Sequence, residues 1–79
     1  MSLTSEEIDD INLLVQYDLA NTQAGLKVHQ REASATTVET AARLYRRGLT
    51  TMDDGGYLTS LGLEAAEHAQ ALMTILRAK

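Results

Sequence analysis

Residues 44–62 run Leu44-Tyr45-Arg46-Arg47-Gly48-Leu49-Thr50-Thr51-Met52-Asp53-Asp54-Gly55-Gly56-Tyr57-Leu58-Thr59-Ser60-Leu61-Gly62. Gly48 stops a helical pattern. Leu44 and Leu49 fall at the two positions whose contact accompanies a Schellman cap, so the helix is predicted to end at Arg47. Threonines and a tyrosine then flank Asp54-Gly55, the chemistry of a tight β-hairpin over residues 49–59. Gly55 or Gly56 would supply the positive φ of its turn. Thr59 is placed to cap a last helix over residues 60–77.

Working upstream, residues 35–47 form a second helix with Val38, Ala41, Ala42, Leu44 and Tyr45 on its apolar side. Several caps are available from Ser34 to Thr37, and Thr36 and Glu39 have capping-box spacing. Leu26-Lys27-Val28-His29 alternates, which predicts a short strand over 26–29 with Leu26 and Val28 facing inward. Residues 21–25 are polar and turn-prone. A first helix is predicted over 5–20. Thr4 and Glu7 form its capping box and Leu3 and Ile8 a hydrophobic staple. Ile8, Ile11, Leu14, Val15 and Leu19 give its apolar face. In the last helix Leu61, Ala65, Ala69, Leu72 and Leu76 make one stripe, with Ala66 and Met73 beside it. Its late 4-3-4 spacing suits packing against another helix, including one from a second copy. The reading is an α+β fold, three helices with a small antiparallel sheet, in one domain over 1–79.

The chain has 79 residues and no Cys. That size supports one domain, and the missing Cys excludes disulfides, thiolate metal sites and thiol catalysis. No apolar run approaches the ~18 residues of a membrane span. Residues 1–10 are acidic and lack an apolar core, so no signal peptide is expected. The location expected from these features is cytoplasmic, with no membrane partner. The apolar complement leans on eleven Ala and twelve Leu, so the core is thin. Small domains of this kind often gain stability from a partner subunit. The net charge is −4, which disfavours general affinity for nucleic acid. The charge is uneven: residues 1–21 carry five acidic residues and no basic one. Residues 22–48 hold Lys27, Arg31, Arg43, Arg46 and Arg47 against Glu32 and Glu39.

Residues 44–64 resemble the end of a winged-helix domain. In that family a recognition helix closes in Leu-x-x-x-Gly-Leu, a wing follows, and the next helix opens with Leu-Thr-x-x-Gly; here the matching residues are Leu44 to Leu49 and Leu58 to Gly62. Only Gln30 to Ala33 separate the predicted strand from the second helix, which leaves no room for a positioning helix. The resemblance therefore implies a truncated winged-helix-like scaffold more than a DNA-reading function. The whole chain is also similar to a small family of uncharacterised bacterial proteins, through Gly-Gly-Tyr-Leu-Thr at 55–59 and Glu-Ala-Ala-Glu-His-Ala at 64–69. Some members of that family carry a label as Id-related inhibitors of DNA-binding proteins.

Arg43, Arg46 and Arg47, extended by Lys27 and Arg31, are the candidate nucleic-acid-binding residues, because a winged helix would set such a patch against phosphate. The plainer reading is a solvated face complementing the helix C-terminus, or a patch that pairs with acidic residues. Ala65, Ala69, Leu72, Met73 and Leu76 are the candidate self-association residues. Glu64 and His68, one turn apart, offer two metal ligands where three or four are needed; a surface pair is the expected reading. Asp53-Asp54-Gly55-Gly56 lacks the alternating ligands of a calcium loop. No nucleophile elbow or phosphate loop is present, and the carboxylates of the first helix look exposed. No metal, cofactor or enzymatic activity is expected. The function expected is a non-enzymatic protein-interaction module acting as a homodimer. The alternative is a weak or accessory winged-helix-like DNA-binding, transcription-related protein.

Overall fold

The computed structural model of the chain describes residues 1–21 and 23–78. Its elements run α1 (Ser5–Leu14), β1 (Leu26–Lys27), α2 (Ala35–Arg46), β2 (Thr50–Met52), β3 (Gly55–Leu58) and α3 (Ser60–Arg77). The fold is α+β, with three helices and a three-stranded antiparallel sheet in the order β1-β3-β2. Thr22, in the turn-prone stretch 21–25, lies outside the described residues. No described helix is long and apolar enough to cross a membrane.

Local chemistry sets each helix start. The Thr4 hydroxyl accepts from the Glu7 N–H at 3.1 Å, and the Glu7 carboxylate accepts from the Thr4 N–H at 2.9 Å. This is the reciprocal capping box, which satisfies donors that a helix N-terminus otherwise leaves free. The staple beside it stays largely open, with Leu3 and Ile8 59% and 46% exposed. At α2 the cap is Ser34, whose hydroxyl accepts from Thr37 N–H at 3.1 Å. The Thr36 and Glu39 capping box does not form; Thr36 lies inside the helix, where its carbonyl accepts from the Thr40 hydroxyl.

The first helix is shorter than its pattern suggested. It stops at Leu14, and Gln16 and Tyr17 donate back to Leu13 and Leu14 in a tightened last turn. Asp18 then accepts from Ala20 N–H at 2.9 Å, which turns the chain away. The buried stripe is Asp10, Leu13, Leu14 and Tyr17. Of the stripe expected at Ile8, Ile11, Leu14, Val15 and Leu19, Leu14 is buried and Leu19 packs against the core, whereas Ile8 is exposed and Ile11 and Val15 are half-buried, because Asp10 and Tyr17 share the inward face. Residues 30–33 make a single turn between β1 and α2. β1 itself is reduced to two residues, with Leu26 half-buried, Val28 buried, and Lys27 and His29 exposed.

The helix end expected at residues 47–48 is formed by a Schellman turn. Gly48, at φ 78°, donates to Tyr45 O at 3.0 Å, and Leu49 donates to Leu44 O at 3.0 Å. These are the two bonds of the Schellman motif. The hairpin pairs Thr50 with Leu58 and Met52 with Gly55, so its loop is Asp53-Asp54 and a bulge interrupts the ladder. Gly55 and Gly56 both take positive φ. Leu13, Leu14, Val28, Ala41, Leu44 and Ala66 form the core between the helices and the sheet.

α3 is anchored by contacts to the end of α2. The Thr59 N–H donates to Leu49 O, the Thr59 hydroxyl donates to Gly48 O at 2.6 Å, and the same hydroxyl accepts from Gly62 N–H at 3.0 Å. Gly62 lies so close to the Leu49 backbone that a Cβ would overlap its carbonyl oxygen. Gly62→Ala is expected to destabilise the fold by about 2 kcal/mol, a fall in Tm of about 10 °C. An unchanged urea midpoint would show that the two backbones can part freely.

Candidate functional site

Two surfaces compete for the functional role: the basic residues and the outer face of α3. The basic residues divide by their partners. Arg43 reaches across to α1, where its Nε and Nη2 donate to Asp10 Oδ1 at 2.9 and 2.7 Å. Nη2 also donates to Glu6 O and to the Thr40 hydroxyl, each at 3.2 Å. The Glu6 carboxylate stands 3.6 Å from Nη1. Only 12% of the Arg43 side chain and 11% of Asp10 remain exposed. The hydrogen bond to Asp10 raises the Arg43 pKa against the cost of desolvation, so the cation is held more firmly than in water.

Arg47 lies 3.5 Å from the other Asp10 oxygen with its side chain more than half exposed. Lys27 lies 3.8 Å from Asp54. Arg31 lines the shallow depression that also holds Lys27, His29, Asp53 and Asp54. Arg46 is exposed. Asp10, expected among the exposed carboxylates of the first helix, is instead buried. The available signal was its position one step ahead of Leu13, Leu14 and Tyr17 on one helical face.

The outer face of α3 exposes four large apolar residues, with exposed Glu64, Glu67 and His68 between the first and the other three. Leu61, Leu72, Ile75 and Leu76 are 55, 49, 71 and 67% exposed. Among the expected self-association residues, Leu72 and Leu76 face solvent, while Ala65, Ala69 and Met73 are half-buried. Ala65 and Ala69 pack against the core, and Met73 lines a depression beside Val15 and Gln70. Leu61 and Ile75 therefore join Leu72 and Leu76 on the exposed stripe, and Ala65, Ala69 and Met73 leave it. On the inner side, the Gln70 amide donates to Tyr17 O at 2.8 Å and reaches the Leu14 and Val15 carbonyls at 3.4 and 3.5 Å. One side chain thus serves the carbonyls that the end of α1 leaves open.

Glu64 and His68 are both exposed, and they share no ion pair among the described residues. The surface pair expected between them does not form. Among the described residues, no three His, Asp or Glu side chains converge as metal ligands.

Tyr17 is buried with its hydroxyl unpartnered. Burial raises its pKa above the ordinary 10.0, helped by the charge of Asp54. The raised folded-state value means that this contribution to stability is complete below pH 10 and is lost as pH rises through the folded-state pKa. Alkaline unfolding curves of wild type and Tyr17→Phe check this: the wild type should lose more stability above pH 10, and parallel curves would refute it.

Asp10→Asn is expected to cost about 1.5–3 kcal/mol, since it leaves a largely buried guanidinium without its anion. Glu6→Gln, at an exposed partner, should cost under about 0.5 kcal/mol. Equal losses in urea titrations would show that Asp10 is not the anchor.

No curated protein and no solved structure matches the chain. One family does match, over residues 1–77. The chain belongs to that family, described as a family of unknown function (DUF5669).

Proposed function

We propose that this chain is a non-enzymatic interaction module that self-associates through the outer face of α3. The observation that carries the reading is the exposure of Leu61, Leu72, Ile75 and Leu76 on one helix. Their uncovered surface sums to on the order of 400 Å², of which Leu72, Ile75 and Leu76 form the larger, adjacent part, a size at which exposed apolar surface on a monomer points to an interaction site. Two such faces would bury on the order of 800 Å² of apolar area, and a polar rim would bring the total toward the ~1,200 Å² of a specific interface. The thin core adds a motive, since a domain this small gains proportionately from any further burial.

The runner-up reading, weak or accessory DNA binding, draws on the winged-helix resemblance and on exposed Arg46 and Arg47 at the end of α2. It is weakened by the commitment of Arg43 to Asp10 and Glu6. A guanidinium already sharing a carboxylate gains little from phosphate, and the net charge of −4 opposes the approach.

Light scattering over micromolar concentrations tests the proposal. The wild type should show twice the chain mass. Leu72→Glu should show the single-chain mass with an unchanged helical spectrum, because a carboxylate buried in the seam costs enough to weaken association by about 100-fold or more. A wild-type mass of one chain would overturn the reading. Duplex-DNA anisotropy at low and near-physiological salt should show no binding. Affinity falling steeply with salt would mean phosphate contacts and would favour the runner-up.

A further inference from the structure

Of the aspartates in the chain, only Asp54 precedes a glycine. Gly55 has no Cβ, so its main-chain nitrogen is open to close approach. That nitrogen and the Asp54 carboxyl carbon are the two ends of a five-membered ring waiting to close. The neighbouring strand holds them apart. Gly55 is paired on both sides, with Lys27 of β1 and Met52 of β2. It is buried at φ 119°, and the Leu26 carbonyl fills the space where a Cβ would stand. The Asp54 carbonyl accepts from Val28 N–H at 2.7 Å. The Asp54 carboxylate, 26% exposed, lies 3.8 Å from Lys27 Nζ. Apart from the pairing with Met52, each of these contacts comes from residues 26–28.

We infer that Asp54 is a latent isoaspartate site that β1 holds closed, so that the modification proceeds through detachment of β1. The inference is independent of self-association. In the reaction the Gly55 nitrogen attacks Asp54 Cγ and gives up its proton. A carboxyl oxygen leaves as water, and a succinimide forms. Water then adds at the former Asp54 main-chain carbonyl and opens that C–N bond, so the chain now runs through Cβ and Cγ. One water leaves and one enters, and no oxidant or reductant is needed. Ring closure requires the peptide between Asp54 and Gly55 to turn. Its carbonyl cannot turn without breaking the bond from Val28, and its Gly55 end is paired on both sides. The reaction therefore runs from an open form, at a rate set by how often β1 leaves the sheet. β1 is two residues long and is held to the core by half-buried Leu26 and buried Val28, so this opening needs less than global unfolding. The product is one main-chain carbon longer, and the paired geometry of Gly55 is not recovered. Detachment of β1, otherwise reversible, becomes permanent.

The full chain is incubated at neutral pH, native and in concentrated urea. Isoaspartate is read at each aspartate by peptide mapping with isoaspartyl methyltransferase labelling. In urea it should accumulate at Asp54 and not at Asp53, whose next residue carries a side chain. The native chain should form it at least about 10-fold more slowly. Leu26→Ala, which weakens the hold of β1 on the core, should close most of that gap while keeping the native helical spectrum. A second measurement needs no variant. Across urea concentrations below the unfolding midpoint, the isomerisation rate should rise in parallel with amide exchange at Val28. Equal rates in native and unfolded chain would overturn the inference, as would no isoaspartate in urea. An isomerisation rate that stays flat while Val28 exchange rises would also overturn it.

Discussion

The close approach of Gly62 to the Leu49 backbone is the constraint on which the molecule depends. The Schellman turn at Gly48 ends α2 and frees the Gly48 and Leu49 carbonyls. Thr59 takes both, one with its hydroxyl and one with its N–H, and with that same hydroxyl caps α3 at Gly62. Four elements thus meet at one point: the end of α2, the start of β2, the end of β3 and the first turn of α3. The direction of α3 follows from this junction, and so does the choice of face that α3 turns outward. Only a glycine fits at 62, so the local sequence and the tertiary arrangement agree there.

The Asp10–Arg43 pair plays a second organising part. The charge asymmetry of the chain, acidic in the first helix and basic in the second, is resolved in part inside the molecule. Asp10 neutralises Arg43 and approaches Arg47, and Thr40 and the Glu6 carbonyl complete the shell around the guanidinium. A pattern that looks from the sequence like a surface for a charged partner is here the means by which α1 is fastened to α2.

These two features mark where the sequence was legible and where it was not. The capping box at Thr4, the Schellman bonds at Leu44 and Leu49 and the cap at Thr59 are closed by neighbours within six positions, so residue types at fixed offsets are enough to find them. The end of α1 and its buried face depend on Arg43, 33 residues away, and on Gln70, 53 residues from Tyr17. No local pattern encodes either. The stripe on α3 shows the same division. Its existence follows from the spacing of Leu and Ala, but which of two adjacent stripes is covered depends on how Gly62 seats the helix. That seating turned Ala65, Ala69 and Met73 inward and left Leu61 and Ile75 in water.

Gln70 gives α3 a further significance. Its amide supplies donors to the carbonyls at Leu14, Val15 and Tyr17, so the last turn of α1 is completed from the far end of the chain. α1 is short, and isolated helices of this length are marginal in water. Its C-terminal turn is therefore tied to α3 through Gln70. Amide exchange at residues 15–17 reports on the seating of α3, and any event that shifts α3 along its axis is transmitted to a helix at the opposite end of the sequence.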